Sequence, residues 1–173
     1  MRLSDTPLIA ADAIQRRVAE LARLVDVDLA GPELVAVVVL KGAVIFAADL
    51  VRHLATPTRL EFVRARSYQG TESAGPVELT AHTAPPVTGR NVLVIEDILD
   101  TGRTTAAILE QLRAQQPARL ALCALLDKPA RRTVDIEADY VGFTIEDRFV
   151  VGYGLDYDEQ FRHLPAVHVL EDA

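Results

Sequence analysis

The chain has 173 residues, half of them hydrophobic, and a formal net charge of −7 at pH 7. That length suits one domain spanning 1–173 with a substantial core, and the acidic balance argues against non-specific contact with nucleic acid. No apolar run reaches membrane-spanning length. The opening stretch Met1–Asp5 lacks the hydrophobic centre of a secretory signal. The single cysteine, Cys123, rules out a disulfide within the chain, so a cytoplasmic protein is expected.

Ile14, Val18, Leu21 and Val25 recur at helical spacing and predict a helix from Ala11 to about Leu29, stopped by Gly31-Pro32. Leu34 to Leu40 reads as a strand and Ala43 to His53 as the helix after it. Leu60 to Arg66 alternates as a strand, with Leu60 and Phe62 on one face and Glu61 and Val63 on the other. Ser67 to Pro76 is rich in small and polar residues and predicts a mobile loop, flanked by a weak strand near Val77 to Leu79. Val92 to Ile95 is a β-branched run too short for a helix, and Thr104 to Gln115 is its following helix. Leu120 to Leu126, Tyr140 to Phe143 and Val167 to Leu170 complete the strands. Alternating strands and helices imply an α/β fold with a mainly parallel sheet.

The chemistry concentrates in Val92–Thr105, where an apolar strand runs into Glu96-Asp97, then Asp100, then a Thr/Gly turn opening a helix. Backbone N–H groups from Thr101 to Thr105 point outward at a helix N-terminus, where unpaired donors and the helix dipole favour a phosphate. Glu96 and Asp97 can accept from vicinal hydroxyls or offer oxygens to a hard cation such as Mg²⁺. The same residues could form only a helix cap and a solvated strand end. A cap, however, needs one acidic or hydroxyl residue rather than three carboxylates and a glycine. Neither GxxxxGK[ST] nor GxGxxG occurs, which removes the main support for nucleoside-triphosphate and dinucleotide readings.

Other strand ends carry further candidates. Lys41-Gly42 joins positive charge to a backbone that a ligand can approach closely; alone it is also an ordinary strand-to-helix turn with a surface lysine. Lys128 follows the strand ending at Leu126 and could donate to a carbonyl oxygen of a base, or be a surface lysine. Phe149 could stack on a heterocycle or fill the core. Beyond it, Asp156 could ligate a second Mg²⁺, and the planar fork of Arg162 suits phosphate oxygens. The four histidines form no pair at metal spacing, and no GxSxG elbow is present.

The stretch 92–105 resembles the phosphoribosyl-pyrophosphate signature of the type I phosphoribosyltransferases. Together with Leu40-Lys41-Gly42, Arg64–Tyr68, Thr71-Glu72-Ser73, Leu126–Pro129 and Phe149–Arg162, in that order and spacing, it makes most of the chain resemble the hypoxanthine-guanine phosphoribosyltransferases. The resemblance implies a twisted, mainly parallel sheet flanked by helices, with a small hood built from the C-terminal and N-terminal segments. It also implies a purine-salvage transferase joining hypoxanthine or guanine to phosphoribosyl pyrophosphate, with Mg²⁺ as cofactor and a homodimer or homotetramer as the assembly. Neither nucleic acid nor membrane is an expected partner.

Residue by residue, the resemblance places Glu96 and Asp97 on the ribose hydroxyls, directly or through Mg²⁺, and makes Asp100 the general base. Asp100, Thr101, Gly102, Arg103 and Thr104 cradle the ribose phosphate, while Lys41, Gly42 and Arg162 meet the pyrophosphate. Lys128 donates to the six-oxo group, Phe149 stacks on the purine, and the Val150 carbonyl faces the two-position. Asp156 holds the second Mg²⁺, and Ser67-Tyr68 begins a lid. The Leu40–Lys41 peptide is often cis in the family. Arg103 stands where lysine is common, and the loop 67–71 is slightly compact. Two alternatives stay open: a xanthine-preferring transferase, and a non-catalytic sensor of phosphoribosyl pyrophosphate. The second wants a basic outer groove, and no Lys/Arg run in the chain is longer than a pair such as Arg131-Arg132.

Overall fold

The structure, a computed structural model, describes residues 2–66, 78–80 and 85–171. Its main sheet is built from β2 (Leu34–Val39), β3 (Thr58–Arg66), β4 (Glu78–Thr80), β5 (Asn91–Leu99), β6 (Arg119–Asp127) and β7 (Tyr140–Thr144). The order across the sheet is β4-β3-β2-β5-β6-β7. All neighbours run parallel except β4, which pairs antiparallel with β3. Three helices cover it: α1 (Ala11–Asp28), α2 (Ala43–His53) and α3 (Arg103–Arg113).

The strands are apolar at consecutive positions because both faces of the sheet are covered. Leu34, Ala36, Val38, Leu93 and Ile95 pack with Ile14, Val18, Leu21, Phe46 and Leu50 of α1 and α2. Their sequence neighbours Val35, Val37, Val92 and Val94 point the other way, onto Ile108, Leu109 and Leu112 of α3. Every β2 residue is therefore buried. The outer strand β7 is closed by Arg17 of α1, which donates to the carbonyls of Val141 (2.8 Å) and Gly142 (3.0 Å). This charged cover blunts a sheet edge that would otherwise offer free backbone groups.

A second sheet joins the two ends of the chain. Its strands are β1 (Arg2–Leu3), β8 (Val150–Val151) and β9 (His168–Glu171), antiparallel in the order β1-β9-β8. It forms the expected hood. Neither β1 nor β8 carries a strand-length pattern, since each is two residues long and exists only by pairing with β9. Cys123 is fully buried in β6, and burial pushes its thiol pKa far up, consistent with an inert core side chain. Among the described residues no helix is long and apolar enough to cross a membrane.

One boundary differs in a way that shapes the site. The strand expected to stop at Ile95 continues to Leu99, so Glu96 and Asp97 lie within β5 rather than at a solvated end. On its β2 side, β5 loses its partner after Ile95, which pairs with Val38. On its other side, pairing with β6 continues to Leu99↔Asp127. The two carboxylates thus sit on a ledge one strand wide on one side, still held by the sheet on the other.

Candidate active site

Alternation along β5 leads its adjacent acids toward different helices, yet their carboxyl groups still meet in a hydrogen bond. Glu96 continues the face of Val92 and Val94 toward α3, where the Thr105 hydroxyl donates to its Oε2 at 3.2 Å. Asp97 continues the face of Leu93 and Ile95 toward the start of α2. There a Cβ added to Gly42 would lie 1.6 Å from Asp97 Oδ2, so only glycine permits this approach. Glu96 is 6% exposed. Burial holds its carboxyl well above the usual carboxylate range, and the charge of Asp97 pushes the same way. Asp97 is raised as well, chiefly by burial, while the hydrogen bond with Glu96, backbone N–H groups and the charge of Arg162 pull it back.

The turn after β5 is not a capped helix start. Gly102 takes φ 81° at the α3 N-cap, and among the described residues no side-chain cap hydrogen bond is made there. The opening amides of α3 therefore lack the side-chain acceptor that usually satisfies them. A cavity of about 220 Å³ lies there, lined by Leu40, Glu96, Ile98, Asp100, Thr101, Gly102, Thr104 and Thr105. Asp100, free of capping duty, accepts from Arg131 Nε at 3.2 Å. Arg103 turns outward instead, with Nε donating to Thr133 Oγ1 at 3.2 Å.

A second cavity, of about 410 Å³, opens on the other side of Asp100. Its walls include Asp97, Ile98, Asp100, Lys128, Arg131, Asp147, Phe149, Val150, Leu155 and Asp156. Lys128 is 7% exposed, and its ammonium donates to the Arg148 carbonyl at 2.6 Å with Asp147 Oδ1 at 4.0 Å. Phe149 is 52% exposed, which excludes it from the core, and its ring meets Tyr157 edge-on at 5.8 Å. The backbone of Phe149, just ahead of β8, is tied to β9, where the Leu170 N–H donates to the Phe149 carbonyl at 2.9 Å. The two cavities share Ile98 and Asp100.

Asp156 and Arg162 belong to a tight turn after the hood strand. Arg162 bonds the Gly154 carbonyl (2.7 Å) and Asp156 Oδ1 (2.8 Å), and its buried Nε–H has no partner among the described residues. Lys41 follows a cis Leu40–Lys41 peptide, and its ammonium lies 2.9 Å from Glu159 Oε1. Gly154, at φ 100°, packs on Gly42; a Cβ there would lie 2.2 Å from the Gly42 carbonyl oxygen. This contact brings the tail against the Lys41 loop.

Most of the residues singled out from sequence therefore gather at one rim of the sheet. Arg103 is the outlier, pointing its side chain away from both cavities. Ser67 and Tyr68, with the rest of the expected lid, lie outside the described residues. Arg131, Asp147 and Glu159 were not singled out as site residues, and Thr105 was singled out only for its backbone N–H. Arg131 had a signal: Pro129–Arg131 form a 3₁₀ turn, which stacks residue i+3 over Lys128. Glu159 had none, because its place depends on left-handed backbone that glutamate rarely adopts.

Mg²⁺ fits the donors present. Among the described residues no three acidic, histidine or cysteine side chains converge as a metal cluster. Mg²⁺ rarely needs such a cage, since it takes one or two carboxylates and completes its shell with water and substrate phosphates. Glu96 and Asp97 are buried carboxylates that a cation would relieve of their desolvation cost.

Comparison with known proteins gives one answer. A family model described as a phosphoribosyl transferase domain matches residues 8–158. The hypoxanthine phosphoribosyltransferase of Salmonella typhimurium is 41% identical over 163 residues, covering 92% of each chain. A bifunctional protein TilS/HprT of Listeria monocytogenes is 43% identical over 165 residues, 95% of this chain, which spans only 26% of that longer protein. A crystal structure of a hypoxanthine-guanine phosphoribosyltransferase from Bacillus anthracis superposes with a TM-score of 0.92 at 42% identity, over 98% of this chain and all of that one.

Proposed function

The chain belongs to the phosphoribosyl transferase family, and from that premise we propose that it is a purine-salvage enzyme joining hypoxanthine or guanine to phosphoribosyl pyrophosphate. The products are the nucleoside monophosphate and pyrophosphate. The observation that carries this reading is the pair of cavities meeting at Ile98 and Asp100. One ends on an uncapped helix N-terminus suited to a phosphate. The other holds an exposed aromatic ring and a buried lysine suited to an oxopurine. A pentose belongs between them.

In this reading the amides of residues 101–105 take the ribose phosphate, and Lys41 and Arg162 take the pyrophosphate. Glu96 and Asp97 hold the ribose side and, with Asp156, are the residues that would hold Mg²⁺. The cation supplies charge neutralisation for the departing pyrophosphate. Lys128 donates to the six-oxo group, which disfavours adenine with its six-amino group. Asp100 accepts the proton lost from the attacking purine nitrogen, and Arg131, bonded to its Oδ1, keeps the carboxylate aimed. Sugar–pyrophosphate cleavage builds positive charge on the ribose and negative charge on the leaving group. The chain meets both with fixed groups, carboxylates on one side and Lys41 and Arg162 on the other.

The whole of 1–173 acts as one domain in the cytoplasm. Val44 and Ile45 of α2 remain exposed, and they belong to a contact between copies in a homodimer or homotetramer. A competition assay following pyrophosphate release with hypoxanthine, guanine, xanthine and adenine tests the assignment. Turnover with hypoxanthine or guanine is expected, and none with adenine. Preference for xanthine would move the reading to the neighbouring specificity, and no release with any base would reduce it to binding alone.

A further inference from the structure

Glu159 occupies the two cations assigned above to pyrophosphate. Its Oε1 lies 2.9 Å from Lys41 Nζ, and its Oε2 lies 3.3 Å from an Arg162 guanidinium nitrogen. One carboxylate thus bridges a loop early in the chain to the turn near its end. The bridge is built, since the backbone is left-handed at Asp158 (φ 50°), Glu159 (φ 61°) and Phe161 (φ 72°). Non-glycine residues seldom take that conformation unless their surroundings enforce it. Asp156 Oδ2 secures the turn by accepting from the Glu159 N–H at 2.9 Å. Lys41 and Arg162 hold the Glu159 carboxyl below its ordinary range, so it is ionised at neutral pH.

We propose that Glu159 is a built-in competitor for pyrophosphate, pairing with Lys41 and Arg162 when no anion is bound and yielding them when one arrives. The proposal rests on the reading that these two cations bind pyrophosphate. The Glu159 carboxylate stands where phosphate oxygens would go, and both oxygens are used as two phosphate oxygens would be. Its side chain is 62% exposed and that of Lys41 47%; an ion pair so open to water is weak and exchanges readily. Among the described residues, Arg162 also keeps one buried Nε–H without a partner. Glu159 therefore does not satisfy the whole guanidinium.

Such a competitor serves turnover. Affinity for pyrophosphate shared equally by substrate and product adds nothing to the chemical step, and slow product release limits many transferases. A carboxylate that re-enters as pyrophosphate departs lowers its apparent affinity by the fraction of molecules in which the cations are already taken.

The test is calorimetric titration of magnesium pyrophosphate into the full chain, comparing wild type with Glu159→Gln, Glu159→Ala and Arg162→Ala. Both Glu159 variants are expected to bind pyrophosphate about three- to tenfold more tightly, the scale of losing one or two weak ion pairs. Their kcat falls as release slows, while KM for hypoxanthine stays within about twofold. A purely structural role predicts the opposite sign, weaker pyrophosphate binding with a lower melting temperature. Unchanged or weaker binding in both Glu159 variants, with Arg162→Ala still impaired, overturns the competitor role and leaves the pyrophosphate assignment standing. Wild-type affinity in Arg162→Ala overturns that assignment, and the competitor role with it.

Discussion

Asp97 and Gly42 are packed so closely that no side chain can be added to the glycine without moving the carboxylate. A Cβ on Gly42 would stand 1.6 Å from Asp97 Oδ2 and 2.6 Å from its Cγ. The obstacle is a side chain that can rotate, so Gly42→Ala should cost about 1 kcal/mol or less in stability. Its effect on the reaction should be larger, because Asp97 is forced off the ledge. A drop of about tenfold or more in kcat/KM for phosphoribosyl pyrophosphate is expected. Steady-state kinetics beside a thermal melt separates the two effects. Equal activity in the variant would show that the position of Asp97 is immaterial.

Asp100→Asn keeps the shape of the turn and an acceptor for Arg131 but removes the proton acceptor. Turnover should fall by about a hundredfold or more, the usual worth of a general base. The KM for phosphoribosyl pyrophosphate should stay within a few fold, since the phosphate meets backbone amides. Near-normal turnover would remove Asp100 from that role.

Lys128→Met preserves the aliphatic stem, which is buried, and deletes the ammonium. The KM for hypoxanthine should rise by about tenfold to a hundredfold, the scale of a charged hydrogen bond. Phosphoribosyl pyrophosphate affinity should change little. A parallel rise in both constants would point to a collapsed site rather than a lost contact with the base.

Glu96 opposes folding where it serves binding. In the folded chain it keeps its proton to a pH well above the ordinary carboxylate range, chiefly because it is buried. Between the unfolded and folded pKa values the native state binds the extra proton, so stability falls as pH rises through that window. Glu96→Gln removes this slope and can still accept from Thr105. The unliganded variant should gain about 1 kcal/mol or more at neutral pH, a melting point higher by about 2–4 °C. Its affinity for phosphoribosyl pyrophosphate with Mg²⁺ should fall. Melts of wild type and variant between pH 5 and about 8 check the sign; a variant less stable at the upper end would contradict it.

The strand-and-helix order was legible because strands buried on both faces read as unbroken apolar runs, and α2 was bounded at both ends as Ala43–His53. The end of β5 was not. Carboxylates look like a strand terminus, yet pairing with β6 carries the strand three residues past Asp97's neighbour Glu96 to Leu99. β1 and β8 left no trace, being too short for periodicity and dependent on a partner from the far end of the chain. At the site, residues attached to a strand end or a glycine turn could be read from local pattern. Arg103 could not be oriented from sequence, because adjacent helix positions face different ways and only Thr133 decides which. Glu159 depends on tertiary contacts that hold its backbone in a conformation its own type disfavours.

The most direct measurement is a crystal structure of the chain with its nucleoside monophosphate product. The account places the phosphate on the amides of residues 101–105, the ribose over Ile98 between Asp97 and Asp100, and the base against Phe149 with its six-oxo oxygen toward Lys128. A nucleotide bound outside these two joined cavities, or one with its phosphate beside Phe149 and its base at the start of α3, would contradict it.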